Sequence, residues 1–352
     1  LSVINTKDNR KIEHKMSFSF IDPEKLENVE QHIRSIGWLK VDDSVVSVER
    51  AGEGNMNCTL RIRLESGSWI IKQARPWVEK YPEIPAPVGR ADVEASFYKF
   101  TSHYESVSGF MPSLKAFDKA SKTLMIQDLG DAQDFTDLYS SDTSRLDILP
   151  ELCQWLSALH HIQVPRLERE NFFNHEMKAL NGEHLFYFPL QENNGIDLDN
   201  ITLGLGILAE ELIADVDYVK AVVTLANIYE QEGKQLLHGD FYPGSWLRDL
   251  KSENFWIIDP EFCFMGPAEF DVGILIGHLV LAGTPLNRAI EVFDLYPSLP
   301  QFQPELALRF SGVEIMRRLI GVAQLPLDSD IDKKSELLAY SKKLILKPDC
   351  IY

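Results

Sequence analysis

The 352-residue sequence has few cysteines, and they show no pairing pattern. The four are widely spaced, and none belongs to a CxxC pair: Cys58, Cys153, Cys263 and Cys350. Structural zinc sites and the disulfide frameworks of small secreted domains need closely spaced or regularly patterned cysteines. The sequence therefore argues against both kinds of site, and we expect reduced thiols in a cytoplasmic protein.

Positive charge is also scarce. There are 35 lysines and arginines against 53 aspartates and glutamates, which leaves a formal net charge of −18. Proteins that bind nucleic acids need a basic surface, so we expect no nucleic-acid partner. A local basic cluster can still bind phosphate groups within an acidic protein.

Long apolar runs are missing as well. No uninterrupted apolar stretch reaches the length of about 18 residues that a membrane-spanning helix needs, and we expect no membrane partner. Residues 1–15 are polar and lack the apolar core of a signal peptide. We expect them to be a poorly ordered leader, followed by one lobe over residues 16–127 and a second over 128–352. The sequence does not distinguish a monomer from a homodimer.

The first feature along the chain that suggests a function is a group of predicted strands around a glycine-rich turn. Strands are predicted at 45–50, 58–64 and 69–74, and the turn between the first two contains Gly52, Gly54 and Asn55. Glycine lets backbone N–H groups approach phosphate oxygens closely. The turn is therefore a candidate phosphate-covering loop, although hairpins of this kind are common.

A lysine in a predicted strand is followed by a glutamate in the next predicted helix. Lys72 lies in the third strand, and Glu94 lies in a helix predicted at 90–100. A strand lysine paired with a helix glutamate positions ATP phosphates in kinases; the alternative is that both are ordinary solvated charges.

After a loop predicted at 76–87 and a strand at 124–126, the apolar strand pattern breaks near Ile126 and Gln127. We place the hinge between two lobes there.

The second half is predicted to be mainly helical. Helices are expected at 142–162, where Pro150 marks a kink or the true start, and at 203–231. Residues 163–200 are expected to be rich in loops. Neighbouring histidines near the end of the first of these helices, His160 and His161, are interpreted as packed or dipole-complementing residues rather than metal ligands.

Two aspartates carry the chemistry. Asp240 lies in the loop His238-Gly239-Asp240, and Asp259 follows a predicted strand at 255–258. One can align and deprotonate a hydroxyl group while the other holds the Mg²⁺ that bridges ATP phosphates. Glu261 could add a second oxygen ligand, and the Ser245 hydroxyl a weaker one. We expect Asp271 to hold the backbone of the loop.

This arrangement resembles the HGDxxxxN…D pattern of the aminoglycoside phosphotransferase and choline kinase superfamily. The segments 52–57, 71–76 and 259–267 are similar to those of the S-methyl-5-thioribose kinase family, which also has serine at the position of Ser245. That family binds its substrate with twin arginines near the C-terminus, and the segment 314–321 containing Arg317 and Arg318 matches it. The resemblance spans roughly residues 46–325.

The resemblance implies an α+β, bilobal protein-kinase-like fold, with a small N-lobe built on an antiparallel sheet and a larger, mainly helical C-lobe. It implies ATP and Mg²⁺ as cofactors, with Asp240 as catalytic base and Asp259, Glu261 and Ser245 at the metal. The residues expected around the nucleotide are Lys72, Glu94, Gly52, Gly54, Asn55, Ile126 and Gln127. Those expected at the acceptor are Arg317, Arg318 and Tyr242. An alternative for the arginines is a solvated helix face on which Glu314 pairs with Arg318.

One departure from the family bears on the acceptor. Phe241-Tyr242-Pro243 stands where the thioribose kinases have Leu-His-Thr, and we expect it to alter the wall beside the acceptor hydroxyl. We predict an ATP-dependent kinase of a small sugar-like metabolite, with 5-methylthioribose as the best acceptor. The alternatives are a kinase of aminoglycosides, choline, fructosamines or other sugars, and a nucleotide-binding pseudokinase or interaction protein.

Overall fold

A computed structural model describes residues 20–52, 56–140, 147–249, 251–252, 254–325, 327 and 329–351. The leader predicted over residues 1–15, and the predicted nucleotide contacts Gly54 and Asn55, lie outside these ranges. The strands in chain order are β1 Val45–Arg50, β2 Cys58–Leu64, β3 Gly67–Gln73, β4 Trp77–Val78, β5 Tyr81–Pro85, β6 Leu114–Asp118, β7 Thr123–Gln127, β8 Gln133–Asp134, β9 Gln235–Leu237, β10 Trp246–Arg248, β11 Phe255–Ile257 and β12 Phe264–Gly266.

The α-helices are α1 Leu26–Ser35, α2 Arg90–Thr101, α3 Glu105–Ser108, α4 Leu149–His161, α5 His175–Gly182, α6 Leu198–Ile201, α7 Leu205–Ile213, α8 Val216–Glu230, α9 Glu269–Leu281, α10 Leu286–Ala289, α11 Val292–Leu295, α12 Pro304–Ile320 and α13 Ile331–Leu346. The described chain forms two compact units. One comprises residues within Leu1–Lys99 and Pro112–Leu129, and the other Phe100–Met111 and Gly130–Tyr352. The lobe boundaries proposed from the sequence stay predictions.

The first unit is built on a five-stranded antiparallel sheet with the order β1-β2-β3-β7-β6. Strand β2 alternates: Cys58, Leu60 and Ile62 are fully buried, whereas Thr59 and Arg61 between them are only partly buried. Helix α1 adds Val29 and Ile33 to the same core. The apolar face of strand β2, which repeats every two residues, and that of helix α1, which repeats every 3.6 residues, therefore pack in the same core.

The loop predicted over residues 76–87 is wrong. Strands β4 and β5 pair there as an antiparallel hairpin, with Trp77 opposite Pro85 and Val78 opposite Tyr81. Prolines suggested a loop because they cannot donate to a ladder. In a two-stranded hairpin every strand is an edge, where proline is tolerated.

The second unit is mainly helical, and its centre is the packing of α9 against α12. Every residue of α9 is buried. A side chain at Gly273 would meet the backbone oxygen of Ala307, and one at Gly277 would crowd Glu314. The two glycines, one helical turn apart, therefore let the backbones of the two helices approach closely.

Two predicted helices have different bounds in the structure. The helix expected over 203–231 is divided into α7 and α8, because the Asp215 side chain accepts hydrogen bonds from the backbone N–H groups of Asp217 and Tyr218 and so caps a new helix. The helix expected over 142–162 is α4, with Pro150 in its first turn. Residues 163–200, expected to be rich in loops, contain α5 and several single turns.

Of the helices that the structure describes, none combines the length and the apolar character that a bilayer crossing requires.

Candidate active site

The loop that carries Asp240 is fixed by its backbone. It follows β9, which pairs with β12. Gly239 has φ +85°, and a side chain there would clash with the backbone oxygen of Phe262. Glycine is therefore required immediately before Asp240, since it alone adopts this conformation without a steric penalty.

Asp271 holds the loop, as the sequence predicted. Its Oδ2 accepts a hydrogen bond from the His238 backbone N–H at 2.7 Å, and its Oδ1 accepts one from Gly239 at 3.0 Å. His160 Nε2 lies 3.1 Å from the same carboxylate, and its Nδ1 lies 2.8 Å from the Tyr296 hydroxyl. Both aspartate oxygens are thus used to fix the backbone ahead of Asp240. The interpretation of His160 as a packed residue is also confirmed.

His238 connects the two segments that carry the predicted catalytic carboxylates. Its Nε2 lies 2.9 Å from the Ile258 carbonyl oxygen, and its Nδ1 lies 3.4 Å from the Asp240 backbone nitrogen. A carbonyl oxygen can only accept and a backbone N–H can only donate, so the ring carries its proton on Nε2. The ring therefore holds the end of the β11 segment at a fixed distance from Asp240.

Asp259 follows β11 in an unusual conformation. Its φ of +62° and ψ of +53° lie in the left-handed region, which non-glycine residues seldom adopt. The next residues turn at Pro260–Phe262. The Asn174 side chain donates to the backbone oxygens of Glu261 at 2.9 Å and Cys263 at 3.0 Å. Sequence reasoning missed Asn174, since nothing in residues 163–200 relates it to a segment so distant in the chain.

The twin arginines lie beside Asp240. The Nη2 atoms of Arg317 and Arg318 are 3.6 and 3.7 Å from Asp240 Oδ1. Glu314, one turn earlier on α12, accepts from Arg317 Nε at 2.5 Å and from Arg318 Nε at 2.7 Å. Both arginines are buried. The alternative of a solvated helix face is therefore wrong, although its Glu314–Arg318 pair is present.

Asp240, Glu314, Arg317 and Arg318 form one charged cluster, in which the surroundings shift the pKa values of both carboxyl groups. Burial disfavours the Glu314 carboxylate, but the guanidiniums of Arg317 and Arg318 outweigh it and hold the pKa of Glu314 well below its usual range. Desolvation raises the pKa of Asp240, and the same two guanidiniums oppose that rise. Asp240 keeps 24% of its side-chain surface exposed. It is therefore the most exposed member of the cluster.

The residues after Asp240 face in different directions. Phe241 is fully buried and stacks on Trp155, with 5.5 Å between ring centroids and 5° between planes. Pro243 is buried too. Phe241 and Pro243 therefore pack inside the loop, and their effect on the acceptor wall stays a prediction. The Tyr242 ring instead lies 5.0 Å from the Arg318 guanidinium carbon, a cation–π distance.

Ser245 closes the loop. Its buried hydroxyl donates to the Asp240 carbonyl oxygen at 3.0 Å, and its own carbonyl accepts from the Ile258 N–H at 3.0 Å. Ser245 therefore joins Asp240, through its side chain, to Ile258 immediately before Asp259, through its backbone. Its role as a metal ligand stays a prediction.

The first unit contains the predicted lysine–glutamate pair. Lys72 Nζ on β3 lies 2.7 Å from Glu94 Oε1 on α2, and the side chains are 3% and 1% exposed. The alternative of solvated charges is wrong. Gly52, two residues after β1, has φ +69°. At the end of β7, Ile126 is buried and the Gln127 side-chain oxygen accepts from Ser113.

A model of the phosphotransferase enzyme family matches residues 47–298, well over half of the chain. The chain belongs to the phosphotransferase enzyme family. It is 26% identical over 352 aligned residues to a methylthioribose kinase from Cronobacter sakazakii, with 86% of each chain covered. It is 25% identical to a methylthioribose kinase from Exiguobacterium sibiricum, with 87% of this chain and 86% of that one covered.

Solved structures share the fold of this phosphotransferase. A spectinomycin phosphotransferase in complex with ADP and spectinomycin matches with a TM-score of 0.53 at 12% identity, covering 92% of this chain and 98% of that one. A choline/ethanolamine kinase family protein from Mesorhizobium loti matches with a TM-score of 0.54 at 17% identity, covering 92% and 95%. The predicted α+β, protein-kinase-like fold is confirmed. Family membership likewise confirms the prediction of an ATP-dependent phosphotransferase acting on an alcohol group.

Two carboxylates of this phosphotransferase are of the chemical type that binds Mg²⁺. Within the described ranges, no group of three or more His, Cys, Asp and Glu side chains is arranged to hold a metal ion. Mg²⁺ in nucleotide enzymes typically takes one or two protein carboxylates and completes its shell with phosphate oxygens and water. Asp259 and Glu261, two residues apart on a turn fixed by Asn174, fit that requirement.

Proposed function

We propose that the chain transfers the γ-phosphoryl group of ATP to a hydroxyl of a small sugar-like metabolite, and that 5-methylthioribose is this acceptor. The observation that carries the proposal is the Asp240 carboxylate, partly exposed and flanked by the guanidiniums of Arg317 and Arg318. The curated relatives named methylthioribose kinase support the choice of acceptor.

Asp240 is assigned the role of aligning the acceptor hydroxyl and taking its proton. The rise in the pKa of its carboxyl makes it a better base than an ordinary surface aspartate. Arg317 and Arg318 are assigned to the acceptor and to the negative charge of the transferring phosphoryl group. Preorganised guanidiniums stabilise such charge without reorganisation at the moment of reaction. Tyr242, against Arg318, is assigned to the wall of the acceptor site.

The remaining predicted residues are assigned to the cofactors. Lys72, supported by Glu94, would contact the phosphates of ATP. The other nucleotide contacts proposed are Gly52, Gly54, Asn55, Ile126 and Gln127. Asp259 and Glu261, with Ser245, would hold Mg²⁺. When bound, Mg²⁺ neutralises phosphate charge and orients the group to be transferred.

The side chains around Asp240 suit a polyhydroxyl acceptor. Two guanidiniums offset the two carboxylates of Asp240 and Glu314 in the same cluster. Asp259 and Asp134 add negative charge near Tyr242, so charge does not separate a cationic acceptor from a neutral one. A neutral polyhydroxyl sugar would find hydrogen-bond donors and an acceptor side by side.

An acceptor panel tests the proposal. ADP release by the purified protein is measured with 5-methylthioribose, ribose, choline, a fructosamine and an aminoglycoside, each with wild type and with Asp240→Asn. We expect 5-methylthioribose to give the highest kcat/KM. Turnover of another acceptor but not of 5-methylthioribose would refute the acceptor. If no acceptor raised turnover above Asp240→Asn, the protein would be a nucleotide-binding pseudokinase instead.

A further inference from the structure

A chain of buried hydrogen bonds leads to the arginine pair from a residue far away in the sequence. The Tyr139 hydroxyl lies 2.6 Å from His278 Nδ1, and His278 Nε2 lies 2.8 Å from Glu314 Oε1. Glu314 is the carboxylate that holds Arg317 and Arg318. His278 and Glu314 have no exposed surface, and Tyr139 has 6%.

Both hydrogen bonds of this chain can donate in the same direction, from Tyr139 to His278 and from His278 to Glu314. Burial lowers the pKa of His278 to about 4, so at neutral pH its ring is uncharged and carries a single N–H. The Glu314 carboxylate can only accept, which places that proton on Nε2. Nδ1 is then an acceptor, and the Tyr139 hydroxyl donates to it. The Glu314 carboxylate therefore selects the tautomer, and the Tyr139 hydroxyl satisfies the remaining ring nitrogen.

The histidine restrains the carboxylate on which both arginines depend. Glu314 Oε2 accepts from Arg317, while Oε1 is shared between Arg318 and His278. The last torsion of a glutamate side chain is otherwise broad. With three donors on two oxygens, the carboxylate plane is defined. That plane orients the Nε side of both guanidiniums, whose Nη2 atoms approach Asp240. Asn181 Oδ1 and the Ala323 carbonyl oxygen accept from the Nη1 atoms of Arg317 and Arg318.

We propose that His278 is a positioning residue for phosphoryl transfer: through Glu314 it holds the guanidiniums of Arg317 and Arg318 beside Asp240, while Tyr139 donates to its other ring nitrogen. His278 itself touches no reacting atom. The His278 ring also packs 5.5 Å from the Tyr242 ring, which lies against Arg318. His278 therefore supports the arginine pair both through Glu314 and through Tyr242. The kinetic part of the proposal rests on the proposed function; the structural part does not.

Three variants separate positioning from packing. His278→Leu removes both hydrogen bonds, His278→Gln keeps an N–H near the position of Nε2, and Tyr139→Phe removes the hydroxyl alone. A matched control is Tyr218→Phe, which removes a buried hydroxyl that hydrogen-bonds Ser341 Oγ at 2.8 Å between α8 and α13.

The kinetic experiment compares kcat and KM for ATP with 5-methylthioribose. A misplacement of about 1 Å can cost on the order of 100-fold in rate. We expect kcat to fall by roughly 10- to 100-fold in His278→Leu with KM for ATP unchanged, and His278→Gln to recover most of the loss. Tyr139→Phe should show an intermediate loss. Tyr218→Phe should lower Tm by a similar amount to Tyr139→Phe while keeping the wild-type kcat.

A spectroscopic experiment needs no turnover. In protein labelled with ¹⁵N-arginine, the Nε–H signals of Arg317 and Arg318 are assigned by their loss in Arg317→Lys and Arg318→Lys. We expect both signals to shift and to exchange faster with solvent in His278→Leu and Tyr139→Phe, but not in Tyr218→Phe. If His278→Leu does not fold, His278→Gln and Tyr139→Phe are judged by the same criteria.

The outcomes are distinguishable. If wild type phosphorylated no acceptor of the panel, the proposed function would fail while the arginine signals still decided the role of His278. Unchanged arginine signals, together with a kcat no lower than that of Tyr218→Phe, would overturn the role of His278 even in a fully active kinase.

Discussion

Glu314 shows how a single residue of this protein can hold a site together without reaching it. It is fully buried and ion-paired with both arginines that flank Asp240. The sequence supported a weaker interpretation, a surface pair at i, i+4, because spacing along a helix does not say which face is buried. Burial converts the same pair from a minor surface contact into a structural requirement.

Glu314→Gln should destabilise the protein strongly. Removing one partner of a buried ion pair leaves uncompensated charge, at a cost of about 3–5 kcal/mol. The free energy of unfolding in urea measures the effect. Glu305→Gln, an exposed position in the first turn of the same helix, is the control and should change stability by less than about 0.5 kcal/mol. Equal effects of the two variants would contradict the account of Glu314.

His278 should make stability depend on pH. Burial lowers its folded-state pKa to about 4, whereas in the unfolded chain it titrates near 6.5. Below about pH 6.5 the unfolded state therefore binds a proton that the folded state does not, and stability falls as the pH is lowered towards 4. We expect His278→Gln to lose less stability than wild type between pH 7 and 5 in urea unfolding. Parallel curves for the two proteins would show that His278 does not contribute.

At the scale of elements, helix α2 joins parts of the first unit that the sequence presented separately. The Arg90 guanidinium, fully buried in its first turn, donates to the backbone oxygens of Met56, Arg75 and Pro87 and to Asn57 Oδ1. One turn later the helix carries Glu94, the partner of Lys72. The helix therefore connects the base of the glycine-rich turn to the strand that bears the lysine.

Arg90→Lys should weaken this connection. A lysine ammonium is a compact charge that cannot match the fork of a guanidinium, so buried oxygens lose their donors at about 1–3 kcal/mol each. We expect a clear fall in Tm and a raised KM for ATP, since the turn and the lysine strand both lose an anchor. Arg63→Lys, at an exposed pair with Glu49, is the control and should affect neither. A wild-type KM for ATP in Arg90→Lys would contradict the link to the nucleotide.

Elements differ in how well the sequence predicted them. β1, β2 and α2 were expected nearly as observed, because apolar periodicity reports which face is buried. The break at Asp215 was missed because an aspartate within a helical pattern is ambiguous until its side chain is seen to cap a new helix. The β4–β5 hairpin was missed because its prolines are typical of loops.

At the scale of the whole molecule, the candidate site residues that the sequence could predict are those in short motifs. His238-Gly239-Asp240, Asp259 and the arginine pair stand out as short motifs. The contacts that support them do not, since they join segments distant in the chain: Asn174 to the turn after Asp259, and Tyr139 through His278 to Glu314. Such contacts depend on the tertiary fold, which local patterns do not specify.

The most direct test of the account is ³¹P NMR of a reaction containing ATP, Mg²⁺, 5-methylthioribose and either wild type or Asp240→Asn. General-base groups contribute typically 10²–10⁴-fold to rate. The account predicts a phosphomonoester signal that grows with ADP in wild type and forms slower by roughly that factor in a folded Asp240→Asn. No phosphomonoester in wild type, or equal rates in both proteins, would contradict it.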